Sequence, residues 1–142
     1  HTTPLPAPFE GGCERVFGGD ALWEIICACK RGTAYTASAR CGALSYDVHC
    51  DYTAQGPRDV IGFFCGHHHC DFTWKADGIP IIVCLSAASD NFETHVCGDG
   101  RLHLKTRGSG EESAFSVFTV DRAARRIYCV RCGAGPDFSI TY

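Results

Sequence analysis

The feature that most restricts this sequence is its cysteine content, eleven residues in a chain of 142. In an oxidising compartment such thiols pair into disulfides, and small secreted domains depend on them. Because the count is odd, five intrachain bridges leave one cysteine over, either as a thiol or bonded to a second molecule. A structural zinc site would need repeated CxxC spacings, and only Cys129 and Cys132 show that spacing. The cysteines therefore predict a secreted, disulfide-rich protein.

The composition agrees with an extracellular location. The chain lacks methionine and begins at His1, as expected after removal of a signal peptide. Its net charge of −3 argues against nucleic acid as a partner. The longest apolar run, residues 79–85, is far shorter than the roughly 18 residues of a membrane span, so no membrane partner is expected.

The segmentation of the chain predicts an all-β protein. Residues 1–12 contain three prolines and two glycines and are predicted to form a flexible N-terminal arm. Residues 13–142 contain about ten short alternating segments and no convincing helical stripe, which predicts one compact antiparallel β-barrel or sandwich. The predicted strands are 22–29, 36–40, 43–50, 60–65, 70–75, 79–85, 92–97, 101–105, 114–120, 126–131 and 138–141.

Residues 50–74 combine cysteines, histidines and aromatic side chains. Cys50 and Cys65 each end an alternating segment, as expected if a disulfide joins two neighbouring strands. A Cys65–Cys70 ring around the histidines is the alternative. His67, His68 and His69 are candidate copper or zinc ligands. Adjacent side chains in an extended loop point in different directions, so a solvent-exposed loop tip is the other interpretation.

Two clusters are candidates for binding a protein partner. Aromatic residues flank the histidine loop, and arginines follow residues 114–120 at a predicted hairpin turn; both residue types are common in protein-binding hot spots. The predicted partner-binding residues are His67, His68, His69, Phe63, Trp74, Arg122, Arg125 and Arg126.

Catalysis is the weaker alternative. His49 or His95 could pair with Glu24 or Glu93 as the base and acid of a ribonuclease-like hydrolase. No nucleophile motif accompanies them. We therefore predict no catalytic residues and no cofactor.

Several short stretches resemble the Alternaria major-allergen family of secreted fungal proteins. Residues 13–23 (CERVFGGDALW) resemble the start of the family, and the strand ending at Cys50 resembles its glycine-led strand. Phe64-Cys65-Gly66, residues 71–74 (DFTW) and the ending after Cys132 continue the likeness in the same order. The resemblance covers about half of the chain in patches. Six cysteines depart from the family pattern: Cys27, Cys29, Cys41, Cys70, Cys84 and Cys129.

The resemblance implies a single β-barrel with a Cys50–Cys65 disulfide, and we pair Cys97 with Cys132. It also implies a homodimer joined through Cys13, although an intrachain partner for Cys13 stays open. The implied function is that of a fungal effector, elicitor or allergen-like virulence protein. Such a protein would bind a plant defence protein, for example as an inhibitor of an apoplastic protease. The alternatives are a secreted metal- or small-ligand-binding protein and, less favoured, the hydrolase.

Overall fold

The computed structural model describes residues 3–6, 16–66, 68–87 and 104–142, which form one helix and eight strands. The elements are α1 (Gly19–Arg31), β1 (Ala34–Cys41), β2 (Leu44–Asp51), β3 (Phe63–Cys65), β4 (Phe72–Ala76), β5 (Ile79–Val83), β6 (Ala114–Asp121), β7 (Arg126–Gly133) and β8 (Phe138–Thr141). The β-rich prediction is confirmed. The described strands form three separate open sheets, however, and not a closed barrel.

The chain divides into two compact units, each of which is described here by itself. Of the described residues, the helix–hairpin unit contains 3–6 and 16–61, and the two-sheet unit contains 62–66, 68–87 and 104–142. The single domain expected for residues 13–142 stays a prediction.

The helix α1 overturns the predicted strand at residues 22–29. Asp20 lies in the first helical turn and Lys30 and Arg31 lie in the last, so each charge complements the helix dipole. Gly32 ends the helix in a left-handed conformation, and its N–H group donates to carbonyl groups of the final turn. The alternation of Trp23, Ile25, Cys27 and Cys29 suggested a strand. The charged residues and the glycine that flank this segment are instead typical of the two ends of a helix.

Residues 3–6 pack against the start of α1. Thr3 and Pro4 are buried, and a Cβ atom added to Gly19 would lie 2.3 Å from the carbonyl oxygen of Pro4. The absence of a side chain at Gly19 therefore allows the two backbones to approach closely. The flexible arm expected for residues 1–12 as a whole stays a prediction.

In the helix–hairpin unit, β1 and β2 form an antiparallel hairpin in register from Ala34↔Asp51 to Cys41↔Leu44. One side of the hairpin faces α1. The other side is exposed and polar, and there the Oγ1 atom of Thr36 lies 2.9 Å from Nδ1 of His49.

The two-sheet unit contains a mixed sheet, with strand order β3-β5-β4, and an antiparallel sheet, with order β6-β7-β8. All five residues of β5 are buried, and strands flank it on both edges. In β7, the alternate residues Ile127, Cys129 and Arg131 are buried. These two strands supply most of the core of this unit.

The expected Cys50–Cys65 and Cys97–Cys132 disulfides stay predictions. β2 pairs with β1 whereas β3 pairs with β5, so Cys50 and Cys65 do not end neighbouring strands. Both residues are thiols in the structure, and so is Cys132; neither the Cys50–Cys65 bridge nor a bridge at Cys132 is present. Cys70 is buried and disulfide-bonded. Cys13 and Cys97 lie outside the described residues.

Candidate protein-binding face

The outer side of the β6–β7 pair is apolar and open to solvent. The pairing Phe115↔Cys132, Val117↔Val130 and Thr119↔Tyr128 places these six residues on one side of the two strands. Their exposed fractions are 56% for Phe115, 51% for Val117, 50% for Val130 and 41% for Tyr128. We call these six residues the β6–β7 face. Contiguous exposed apolar residues of this kind are typical of interaction surfaces.

The opposite side of the same sheet is anchored in the protein interior. Arg131 donates from Nη2 to Oδ1 of Asp71, and their side chains are only 1% and 11% exposed. The same carboxylate oxygen accepts the N–H group of Leu85 at 3.0 Å. The N–H group of Arg131 in turn donates to Asp137 at 2.7 Å. These hydrogen bonds hold the inner side of β7 in place, so the strand that carries the β6–β7 face is rigidly anchored.

The ring packing on the inner side adds to this support. The ring of Phe118 on β6 packs edge-on against Phe64 with centroids 4.9 Å apart, and it also contacts the ring of Phe138 on β8 at 6.3 Å. Aromatic pairs in this geometry stabilise a core beyond the area that they bury.

The predicted arginines lie at the turn that joins β6 to β7: Arg122 and Arg125 are in the turn, and Arg126 is the first residue of β7. Arg122 and Arg125 are exposed and Arg126 is half-buried. The Nε atom of Arg125 donates to the carbonyl group of Tyr142 at 3.2 Å, and its guanidinium lies 4.9 Å from the centre of the Tyr142 ring. Arg126 donates to the hydroxyl of Ser139 at 3.3 Å. The structure therefore brings the basic turn to one end of the β6–β7 face.

The predicted aromatic pair lies on the other sheet of this unit. Phe63 and Trp74 are half-buried, and both pair with Ile81, one on each side of β5. They occupy one row of the sheet, about 10 Å apart, which is two strand spacings. Their role in partner binding stays a prediction.

The histidine loop is only partly described. His68 and His69 are half-buried, and His69 has a positive φ of 52°. His67 lies outside the described residues, so the three-histidine metal site stays a prediction. Among the residues that the structure describes, no group of three or more histidine, cysteine or acidic side chains could hold a metal ion.

The candidate hydrolase residues have other partners. His49 contacts Thr36, and Glu24 accepts a hydrogen bond from Arg31 at 3.1 Å on the exposed side of α1. His95 and Glu93 lie outside the described residues. The hydrolase alternative stays a prediction.

A second apolar surface lies in the helix–hairpin unit, between α1 and β2. It is a groove of about 350 Å³. Its walls are Phe17, Gly18, Ala21, Leu22, Ile25, Leu44, Ser45, Tyr46 and Val48. The rings of Phe17 and Tyr46 are 5.4 Å apart at its edge. The volume falls within the range of about 300–1,000 Å³ that is usual for small-ligand sites.

Comparisons with known proteins identify no relative. No family model, no curated protein and no solved structure matches this chain. The resemblance to the Alternaria major-allergen family stays a prediction. No helix in the described ranges has the length and apolar character that a membrane crossing requires.

The apolar residues of the β6–β7 face were missing from the predicted site. The sequence does contain a signal for them, because Phe115 and Val117 alternate with Ala114 and Phe118, which makes both sides of β6 apolar. A strand in a single antiparallel sheet with one solvated side usually has one polar side. The additional apolar side is the sequence signal for the exposed apolar surface.

Proposed function

We propose that the protein is a secreted, effector-like binding protein that acts by contact with a host protein and not by catalysis. The observation that carries the proposal is the β6–β7 face, an exposed apolar surface on a sheet whose inner side is anchored. Binding surfaces combine an apolar centre with charged residues at the rim. The high cysteine content and the resemblance to secreted fungal proteins support an extracellular host partner, such as a plant defence protein or an apoplastic protease.

The partner is expected to present acidic groups beside an apolar patch. The basic turn at Arg122, Arg125 and Arg126 lies at the end of the face, although the whole chain has a net charge of −3. A local basic cluster on an acidic protein attracts a complementary acidic surface and repels basic ones. The apolar centre would then contribute most of the binding free energy, and the arginines would set the orientation.

The test is capture of plant apoplastic proteins on the immobilised chain, followed by mass spectrometry and by affinity measurement with the captured protein. The double variant Val117→Thr/Val130→Thr keeps β-branched side chains, so the strands should form while the apolar surface shrinks. We expect at least a tenfold loss of affinity from this variant and a weaker, salt-dependent binding after Arg122→Glu.

The matched control is Ser38→Thr, which alters an exposed strand residue in the other unit and should bind as the wild type does. Two results would contradict the proposal. One is equal capture by the wild type and the double variant. The other is a loss of binding in His68→Ala/His69→Ala alone, which would move the site to the histidine loop.

The groove between α1 and β2 favours a second candidate function, the binding of a small apolar ligand. Its walls are mainly Phe17, Leu22, Ile25, Leu44 and Val48, with few polar groups to orient a charged molecule. We expect a fluorescent apolar probe to bind the wild type, and Leu44→Asn to weaken this binding at least fivefold. Leu104→Asn, at an exposed leucine of the two-sheet unit, is the control; equal effects would show that the probe does not occupy the groove.

A further inference from the structure

Two outer strands of the two-sheet unit border a cleft. In the order of the described strands, β4 is an outer strand of the mixed sheet and β8 is an outer strand of the antiparallel sheet. The cleft has a volume of about 160 Å³, and consecutive residues line it at each strand, 71–73 and 138–140. Successive side chains of a strand point to opposite sides of its sheet, so consecutive residues border a space only along the edge of a strand. The cleft therefore lies between two strand edges.

The backbone hydrogen bonds of β8 show which groups point into the cleft. The N–H group of Tyr142 donates to the carbonyl group of Arg125 at 3.1 Å. This bond extends the β7–β8 register by one pair, and hydrogen-bonded and non-hydrogen-bonded pairs alternate along antiparallel strands. Ile140 therefore bonds to β7, whereas Ser139 and Thr141 direct their N–H and carbonyl groups to the open edge.

The turn between β4 and β5 gives the same information for β4. Its two residues, 77 and 78, have positive φ values, which is typical of a hairpin turn whose flanking residues share a hydrogen bond. These flanking residues are Ala76 and Ile79. By the same alternation, Thr73 and Lys75 direct their N–H and carbonyl groups away from β5. Both edges thus present hydrogen-bonding groups to the cleft.

The spacing of the two edges suits one additional strand. β4 and β8 do not pair with each other, and their Cα atoms lie mostly more than 8 Å apart. A strand between them needs about 9.6 Å, which is two strand spacings. We propose that the cleft binds an extended segment of another protein as an inserted strand, which joins the two sheets into one. Main-chain hydrogen bonds supply the affinity in this mode of recognition.

The side chains at the cleft define which sequences fit. Phe72, Phe138 and Ile140 are half-buried on the inner side, whereas Thr73 and Ser139 are exposed on the outer side. An inserted strand matches this pattern with apolar residues at every second position and polar residues between them.

Charge adds a preference on the outer side. The Nη1 atom of Arg126 donates to Oγ of Ser139 at 3.3 Å. Because this guanidinium lies beside the edge of β8, it attracts an acidic side chain of the segment. The expected ligand is therefore an extended segment of alternating apolar and polar residues with an acidic residue among the polar ones.

The inserted strand does not depend on the proposed partner binding at the β6–β7 face. Ser139 pairs with Tyr128, so the exposed side of β8 continues that face. The inserted strand, however, uses the backbone edges of β4 and β8 and none of the six side chains of the face. Loss of one site therefore leaves the other testable.

Binding of a synthetic peptide to the full chain tests the site. The probe is a peptide of about seven residues, blocked at both ends, in which valine alternates with threonine and glutamate. We expect saturable binding to the wild type, measured by fluorescence anisotropy. In the complex, four edge amides should exchange with solvent at least tenfold more slowly by NMR: those of Thr73, Lys75, Ser139 and Thr141.

Two matched peptides distinguish insertion from addition to a single edge. One is N-methylated at its odd-numbered residues and the other at its even-numbered residues, so each retains the donors for one edge only. We expect each to bind at least tenfold more weakly than the probe, because an inserted strand bonds on both sides. Equal binding by the probe and either methylated peptide would overturn the inference.

Proline variants test the two edges in the protein. Proline is tolerated in an edge strand where its missing N–H group would face outward. Thr73→Pro and Ser139→Pro therefore remove a donor to the cleft and keep the pairing with β5 and β7. We expect each variant to bind the probe at least fivefold more weakly than the wild type does.

Val120→Pro is the matched control at the open edge of β6. The N–H group of Ala134 donates to the carbonyl group of Ser113 at 3.0 Å, and the alternation from this pair directs the N–H group of Val120 away from β7. This variant should bind the probe as the wild type does. The same result is expected for Val117→Thr/Val130→Thr, which separates this site from the β6–β7 face.

Three further results would overturn the inference. One is the absence of probe binding to the wild type. The second is slow exchange of the Thr73 and Ser139 amides before the peptide is added, since the chain itself or a second copy would then fill the cleft. The third is an equal loss of binding in Val120→Pro and in the two edge variants. The peptide series with the wild type decides the question even if a variant folds poorly.

Discussion

Asp71 is the residue on which the inner side of the β6–β8 sheet depends. Its Oδ1 atom accepts hydrogen bonds from Arg131 and from the N–H group of Leu85. Arg131 is almost completely buried, and its positive charge is paired with the Asp71 carboxylate. Removal of the carboxylate therefore leaves a buried positive charge without a counter-ion.

We expect Asp71→Asn to lower the free energy of unfolding by about 3–5 kcal/mol, because one half of a buried ion pair is lost. Urea unfolding monitored by circular dichroism measures the change. Glu24→Gln is the control: Glu24 and Arg31 form an ion pair on the exposed side of α1, and such pairs contribute less than about 1 kcal/mol. Similar losses in the two variants would show that the Asp71–Arg131 pair contributes no more than a surface pair.

At the scale of elements, the end of α1 depends on Gly32. Gly32 has a φ of 66°, and an added Cβ atom would lie 2.3 Å from the carbonyl carbon of Gly56 and 2.5 Å from the nitrogen of Pro57. Alanine at this position would encounter both a left-handed backbone and rigid backbone atoms. The loop after β2 would have to move away from the helix.

Gly42 provides the matched comparison because its φ is 59° and nothing lies within 4 Å of its added Cβ atom. We expect Gly42→Ala to lower the free energy of unfolding by about 1–2 kcal/mol, through the strained backbone conformation alone. Gly32→Ala should lower the free energy of unfolding further than Gly42→Ala does, and its midpoint of thermal unfolding should be correspondingly lower. Equal midpoints of thermal unfolding for the two variants would mean that residues 56 and 57 move away from the added methyl group without loss of stability.

The secondary-structure elements also show how much of the fold the sequence could predict. The antiparallel strands β1, β2, β6, β7 and β8 followed from local alternation, and the structure places them within a few residues of the predicted bounds. Neighbouring segments joined by short turns need only local information. The helix α1 was missed because four apolar residues with a spacing of two outweighed the charges and the glycine that mark helix ends.

The mixed sheet could not be predicted in the same way. β3 is parallel to β5 and lies across it from β4, so its pairing depends on residues that are distant in the sequence. The candidate site, too, could be predicted only in part. The basic turn was predicted from its composition, but which side of β6 faces the core depends on Asp71, Leu85 and Phe64, which come from other parts of the chain.

At the scale of the whole molecule, the two compact units differ in how their apolar residues are used. The helix–hairpin unit leaves a groove between α1 and β2, whereas the two-sheet unit buries β5 and leaves the β6–β7 face open. Among the described residues, each unit thus presents an apolar surface. This division assigns the proposed protein contact and the small-ligand alternative to different units, so variants in one unit can test one function without altering the other.

The position of β5 also has a consequence for the route of folding. Asp77 and Gly78 have φ values of 49° and 68° and form the tight turn of the β4–β5 hairpin, which can close early because its strands are adjacent. β3 must then close a longer loop to cover the other edge of β5, and long-range pairing is slow. Until it does, an uncharged strand of Ile-Pro-Ile-Ile-Val exposes an open edge to other chains. Pro80, which cannot donate a backbone hydrogen bond, interrupts that edge and restrains aggregation during this interval.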